Sequence, residues 1–345
     1  MVNPETRLFK VTEEQRCRLK STIQRFLSVI DPSFRLPSRH ALTRYITSFF
    51  RGFHQHLPFI HVPTWNILEH SAETIFGISA IGAQYCFETR MSENLFFAGK
   101  ALLLERLKSK TETLGTSTKS STASTSPTMQ YDTFSPYDQD VPPIDTVRAL
   151  ITLMAFATWE PKTSLVQEAF TLQGILAPIL RDIGLTEERS LSPPIATMYE
   201  CDGRATEEEN WRTWVARESS RRSKLIAFSF LHTHSIAYNV YPILRSNEIN
   251  LRLPCPTKEW KAPNATLWRI AKNENHTPQL FFQEALSLLL RNKNDSLPLE
   301  PIPAPLGNYV LLHGLIQRIH IVRDLSLPVM SKTATLPVEE VKKLE

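Results

Sequence analysis

The chain has 345 residues, 42% of them hydrophobic, which is enough to build one large core or two modest ones. Its 39 basic and 35 acidic residues leave a formal net charge of +4 spread along the sequence, so no basic strip marks a phosphate-neutralising surface. Its ten glycines form no phosphate-cradling cluster, and Cys17, Cys86, Cys201 and Cys255 form no C-x-x-C pair, which excludes a zinc ribbon or a disulfide framework and fits a reducing compartment.

The N-terminus MVNPETRLFK carries charge where a signal peptide needs an apolar run. Residues 11 to 30 predict an amphipathic helix that Asp31 and Pro32 end. A second helix starts after Ser38 as N-cap, with Leu42, Tyr45, Ile46, Phe49, Phe50 and Phe53 on one face at helical spacing. Pro58 and Pro63 stop it, so Phe59, Ile60 and Trp65 pack from an irregular turn that reads Pro58, Phe59, Ile60, His61, Val62, Pro63, Thr64, Trp65. The stretch Ala72 to Phe87 is apolar all round and interleaved with Gly77, Ser79, Ala80, Gly82 and Ala83. That composition predicts a central helix crossed closely by others. A helix over Glu93 to Leu114 follows.

From 115 to 143 the chain is rich in Ser, Thr, Tyr, Asp and Pro, and it reads as a disordered internal loop. Helical spacing returns at Ile144 to Thr158 and again from Ser164, where Ser164 and Gln167 match a capping box. Leu165, Leu172, Ile175, Leu176, Ile179 and Ile183 form the apolar face of that helix. Pro178 is expected to kink it and Gly184 to close it in a left-handed C-cap. Thr206 and Glu209 form another capping box, and Glu207 and Glu208 suit the positive end of the dipole. The stripe of this helix runs through Trp211, Trp214, Val215, Glu218, Arg222 and Leu225. Glu218 and Arg222 stand four apart in the order that favours an ion pair, expected at the border of the core. Leu225 to Leu244 contains His232, His234 and Asn239 and reads as a core helix, not a membrane span. After Leu253, Pro254, Cys255 and Trp260, helices are expected at Pro278 to Arg291 and Leu306 to Leu325. The segment 337–345 starts a helix that stops after barely two turns, as a truncation would.

The turn from Pro58 to Trp65, the run Ala80 to Tyr85, the ending Arg181 to Leu185, the pattern Trp211, Trp214, Glu218, Arg221, Arg222, and the elements Leu253, Pro254, Cys255 and Trp260 occur in order. Together they resemble the fungal-specific transcription factor domain, the helical middle region of zinc-cluster and zinc-finger regulators. The resemblance spans 38–336 apart from the low-complexity loop, with 1–37 as a lead-in, and implies an all-α, single irregular multi-helix domain. It implies further a nuclear regulatory or effector role in RNA polymerase II transcription, with partners drawn from a second copy of the chain, the transcription machinery or a small-molecule effector. It implies no membrane association. The family places a zinc-binding DNA-reading module upstream, and this sequence shows neither a zinc cluster nor zinc fingers. DNA contact is therefore expected only through a missing or separate module, whether the chain is part of a longer product or acts through partners.

No catalytic, cofactor or metal site is expected. His54, His56 and His61 lie close together but lack flanking Cys or carboxylate ligands; His61 is expected to bond within the turn, and the other two to finish a helix as partly positive groups. His232 and His234 point to opposite sides of one helix. Cys255, between two prolines, reads as a small buried hydrophobe. Arg217, Arg221, Arg222 and Lys224 read as structural, not as a DNA contact, because Glu218 and apolar residues stand among them. The rival readings are a helical interaction scaffold, against which the absence of a fixed repeat weighs, and an all-α enzyme, for which no Asp-rich metal motif lies on a helix.

Overall fold

A computed structural model describes residues 8–117, 141–188, 206–274, 277–291 and 298–326. Cys201, the interior of the low-complexity segment and the segment 337–345 lie outside them. The described residues are helical, without strand or sheet; isolated bridges join Thr186 to Asn250 and Arg252 to Phe281. In chain order the helices are α1 Glu13–Arg25, α2 Arg39–Arg51, α3 Phe53–His56, α4 Ala72–Tyr85, α5 Thr89–Ser117, α6 Pro143–Trp159, α7 Thr163–Ile183, α8 Glu207–Tyr238, α9 Thr257–Trp260, α10 Ala265–Glu274, α11 Phe282–Arg291 and α12 Pro305–Ser326.

The all-round apolar α4 is the hub, buried from Ala72 through Ala83 and packed against α2, α5 and α6. Its small residues set the approach. A Cβ on Gly82 would lie 1.9 Å from the Tyr45 carbonyl oxygen of α2, and one on Gly77 would lie 2.2 Å from Thr152 Oγ1 of α6, so only glycine permits either crossing. The starts of α4 and α6 are joined by buried Asp145. Its carboxylate accepts from the Ser71 backbone N–H at 2.8 Å and from Thr74 Oγ1 at 3.0 Å, and lies 2.7 Å from His70 Nδ1. Burial by itself would raise this carboxyl, but the hydrogen bond and charge of His70, with Arg148 nearby, hold it at about 2. From α6 the packing passes to α7 and α8, and from α8 to α10 and α12.

Several boundaries differ from the sequence reading. The first helix covers only Glu13–Arg25 and is capped by a Thr12–Gln15 box. Residues 115–117 continue α5 and Pro143 opens α6, so both ends of the loop expected over 115–143 are helical. Ser164 is not an N-cap: the amides of Leu165 and Val166 bond the Lys162 carbonyl, the helix starts at Thr163, and no side chain caps it. Gly184 does close α7 with φ of +86°, but its ψ of 135° is extended and not left-handed helical. The helix expected from Pro278 begins at Phe282. The short α9 and α10 were not anticipated. Ser38, by contrast, caps α2 through the Ala41 amide, and Thr206 with Glu209 caps α8 in both directions.

Candidate functional site

The motif residues from three distant parts of the sequence meet where α8 crosses the 58–65 turn and the 250–260 loop. Turning once per 3.6 residues, α8 brings Trp211, Val215, Glu218 and Arg222 onto one inward face. Glu218 is 0% exposed and Arg222 3%, so the pair lies inside the molecule and not at the border of the core. One Glu218 oxygen accepts from Arg222 Nε at 2.8 Å and from the Cys255 backbone N–H at 2.9 Å; the other accepts from Arg221 at 2.5 Å. Arg222 donates onward to the carbonyls of Cys255 at 3.0 Å and Pro58 at 3.5 Å, and its guanidinium lies 4.1 Å from the Trp260 ring centroid.

Arg221 turns to the other side and holds Glu187 with two hydrogen bonds, of 2.8 and 3.1 Å. Glu187 follows α7 and is fixed there by its backbone bond to Asn250, while Lys224 donates to the Gly184 carbonyl at 2.7 Å. Burial raises the Glu218 carboxyl, but the charges of Arg222 and Arg221 outweigh it and hold the group below the usual carboxylate range. Four segments, the 58–65 turn, the end of α7, α8 and the 250–260 loop, are thus locked by one ion network whose members all have partners.

Around it sit the aromatic members. His61 lies edge-on to Trp260 at 4.9 Å and to Trp211 at 5.8 Å, and its Nδ1 pairs with Thr64 Oγ1 at 2.9 Å, as expected for a turn histidine. Burial lowers its pKa to about 4, so it is neutral. His54 departs from expectation: it is buried, its Nε2 accepts from the Ile60 amide at 3.0 Å, and burial beside Arg222 lowers its pKa to about 3. It is a neutral acceptor shaping the turn, not a positive group at a helix end. His56 is exposed.

Phe59 is fully buried beside Phe49 and His54, whereas Pro63, Thr64 and Trp65 are half-buried, with Trp65 packed between Phe50 and His70. Trp214 also is half-buried; it packs against Trp268 of α10 at 5.2 Å, next to a small cluster of Trp211, Val215, Ala262 and Ala265. Leu253 and Pro254 are buried, and the Leu253 amide bonds the Leu280 carbonyl at 2.9 Å. Sequence reasoning missed Glu187, Trp268 and the use of the Cys255 backbone. The Glu187 signal, an acidic residue just past the Gly184 turn, is visible in the sequence but its partner lies 34 residues away.

The arrangement is structural in chemistry. Burial and the Glu218 charge raise the Cys255 thiol well above its ordinary range, so it stays protonated inside the network. Among the described residues no three His, Cys, Asp or Glu side chains are grouped to hold a metal ion, and no helix is long and apolar enough to cross a membrane.

Zinc finger protein klf1 of Schizosaccharomyces pombe is 22% identical over 281 residues, which are 81% of this chain and 31% of that protein, so the chain spans about a third of this relative's length. No solved structure matches the chain. The family described as the fungal specific transcription factor domain matches residues 46–334, from within α2 to beyond α12 and across all of the motif residues above, and the chain belongs to that family.

Proposed function

We propose that this chain is the regulatory or effector body of a nuclear regulator of RNA polymerase II transcription, occupying residues 38–336 and reading DNA only through a separate module. The observation that carries this is the family match over 46–334. The relative named a zinc finger protein supports the division of labour, since the matched region is 31% of it and leaves room for a reader elsewhere. The residues Pro58, Phe59, His61, Pro63, Thr64, Trp65, Trp211, Trp214, Glu218, Arg221, Arg222, Leu253, Pro254, Cys255 and Trp260 serve in this reading as the lock that holds α8 in register with the loops around it. A second copy, the transcription machinery and a small-molecule effector are the partner classes such a body would engage.

Purified chain should then bind DNA weakly, without sequence preference, and lose that binding steeply as salt rises. Tight, sequence-selective binding by the isolated chain would overturn the proposal.

A further inference from the structure

A cleft of about 720 Å³ opens between α3, the end of α4, the end of α6, α8 and α12, well within the size of small-molecule sites. Its floor is made by buried Phe53, Leu57, Ile81 and Phe230, and its rim by the exposed Tyr85, Phe87 and Trp159. Trp159 stands edge-on to Phe53 at 5.8 Å and to Phe230 at 5.4 Å, which gives a stiff aromatic wall. Among the described residues no Lys, Arg, Asp or Glu lines the cleft. Polar groups are few: Gln84, whose amide N–H₂ donates to Glu160 at 2.8 Å, His56, Tyr309, and Thr233, whose hydroxyl donates to the Ser229 carbonyl at 2.9 Å.

Phe87 is the unusual member. It follows α4 with φ of +61°, in a helix ending where the Phe87 amide bonds the Gln84 carbonyl and the Glu88 amide bonds the Ala83 carbonyl. That position favours glycine, and a bulky side chain there strains the backbone. The residue is 92% exposed, so burial does not repay the strain. What the phenyl does have is a place on the rim of an uncharged aromatic cleft.

We infer that this cleft binds a flat, uncharged, largely apolar small molecule, with Phe87, Tyr85 and Trp159 closing on its faces and a polar group of the ligand meeting Thr233 or Gln84. Phe230 and Thr233 lie on α8, the helix that also carries Glu218 and Arg222, so occupancy acts on the locked helix directly. The consequence for transcription rests on the regulatory reading; the binding itself does not.

The test titrates purified chain with the neutral dye phenylnaphthylamine, following dye emission and tryptophan quenching. Saturable binding at one site is expected. Phe87→Gly should weaken it about fivefold or more, the share of one aromatic contact, while its melting temperature stays level or rises because strain is relieved. Tyr85→Ser should weaken it similarly, and Ile319→Ser, on the exposed face of α12, should leave it unchanged. No saturable binding, unchanged affinity in both rim variants, or an equal loss in Ile319→Ser would overturn the site. Failure here with a responsive transcription reporter refutes the cleft and leaves the regulatory reading standing; dye binding with a silent reporter does the reverse.

Discussion

Replacing Glu218 by alanine removes the carboxylate on which the buried network converges. Arg222 would keep its bond to the Cys255 carbonyl and its place over Trp260, but at 3% exposure it would hold a guanidinium charge with no counter-ion in contact. The Cys255 amide would lose its acceptor, and Arg221 would keep only Glu187. Breaking a buried ion pair in this way costs about 3–5 kcal/mol, against about 0–1 kcal/mol for an exposed one. For a domain whose total stability is of order 5–15 kcal/mol that is a large fraction. At about 1.5–2 °C per kcal/mol for a chain of this size, melting should fall by roughly 4–10 °C. Arg222→Met should be similarly damaging, and the double variant should lose clearly less than the sum, because the two side chains act as a unit. Urea unfolding of the four proteins measures this directly. A Glu218→Ala loss below about 1 kcal/mol would refute the claim that the pair is desolvated and structural.

Gly82→Ala should destabilise by about 1–3 kcal/mol or more in chemical denaturation, since its Cβ would meet the backbone of α2 and not a yielding side chain. Stability should fall as pH drops from about 6.5 toward 4. Burial depresses His61, His232, His234 and His313 to about 4, so the unfolded chain takes up protons first and the native state loses ground through that window. A flat stability profile between those pH values would contradict it. Trp211→Ala should cost about 3–5 kcal/mol, and Trp214→Ala clearly less because that ring is only half-buried; equal losses in thermal melts would argue against the placement of the small cluster.

Local patterns were legible, and long-range partners were not. The stripe of α2, the Ser38 and Thr206 caps, the glycine crossings of α4 and the Glu218–Arg222 spacing each depend on residues within one or two turns, so the sequence displays them directly. The depth of that pair does not show, because Pro58, Cys255 and Trp260 cover it from segments 33 to 164 residues distant. The reading of Ser164 as a cap failed because the Lys162 carbonyl already opens the helix two residues earlier. His54 looked like a helix-end charge until the Ile60 amide, folding back over it, made it an acceptor. The short α10 is stabilised by packing of Trp268 against α8, a tertiary cause with little local signature. Phe87 was invisible for the opposite reason: its position calls for glycine, and a phenylalanine there gives no sign of a turn.

The central claim is that regulatory contacts reside in the helical body and need no native DNA reader. Fusing the full chain to an unrelated DNA-binding domain and measuring a reporter with its cognate site in a fungal host tests this most directly, alongside a reporter lacking the site and a fusion carrying Glu218→Ala at matched protein levels. The account predicts a change in transcription only from the reporter with the site, reduced when the Glu218 network is broken. No change with a folded, nuclear fusion, or the same change on both reporters, would contradict it.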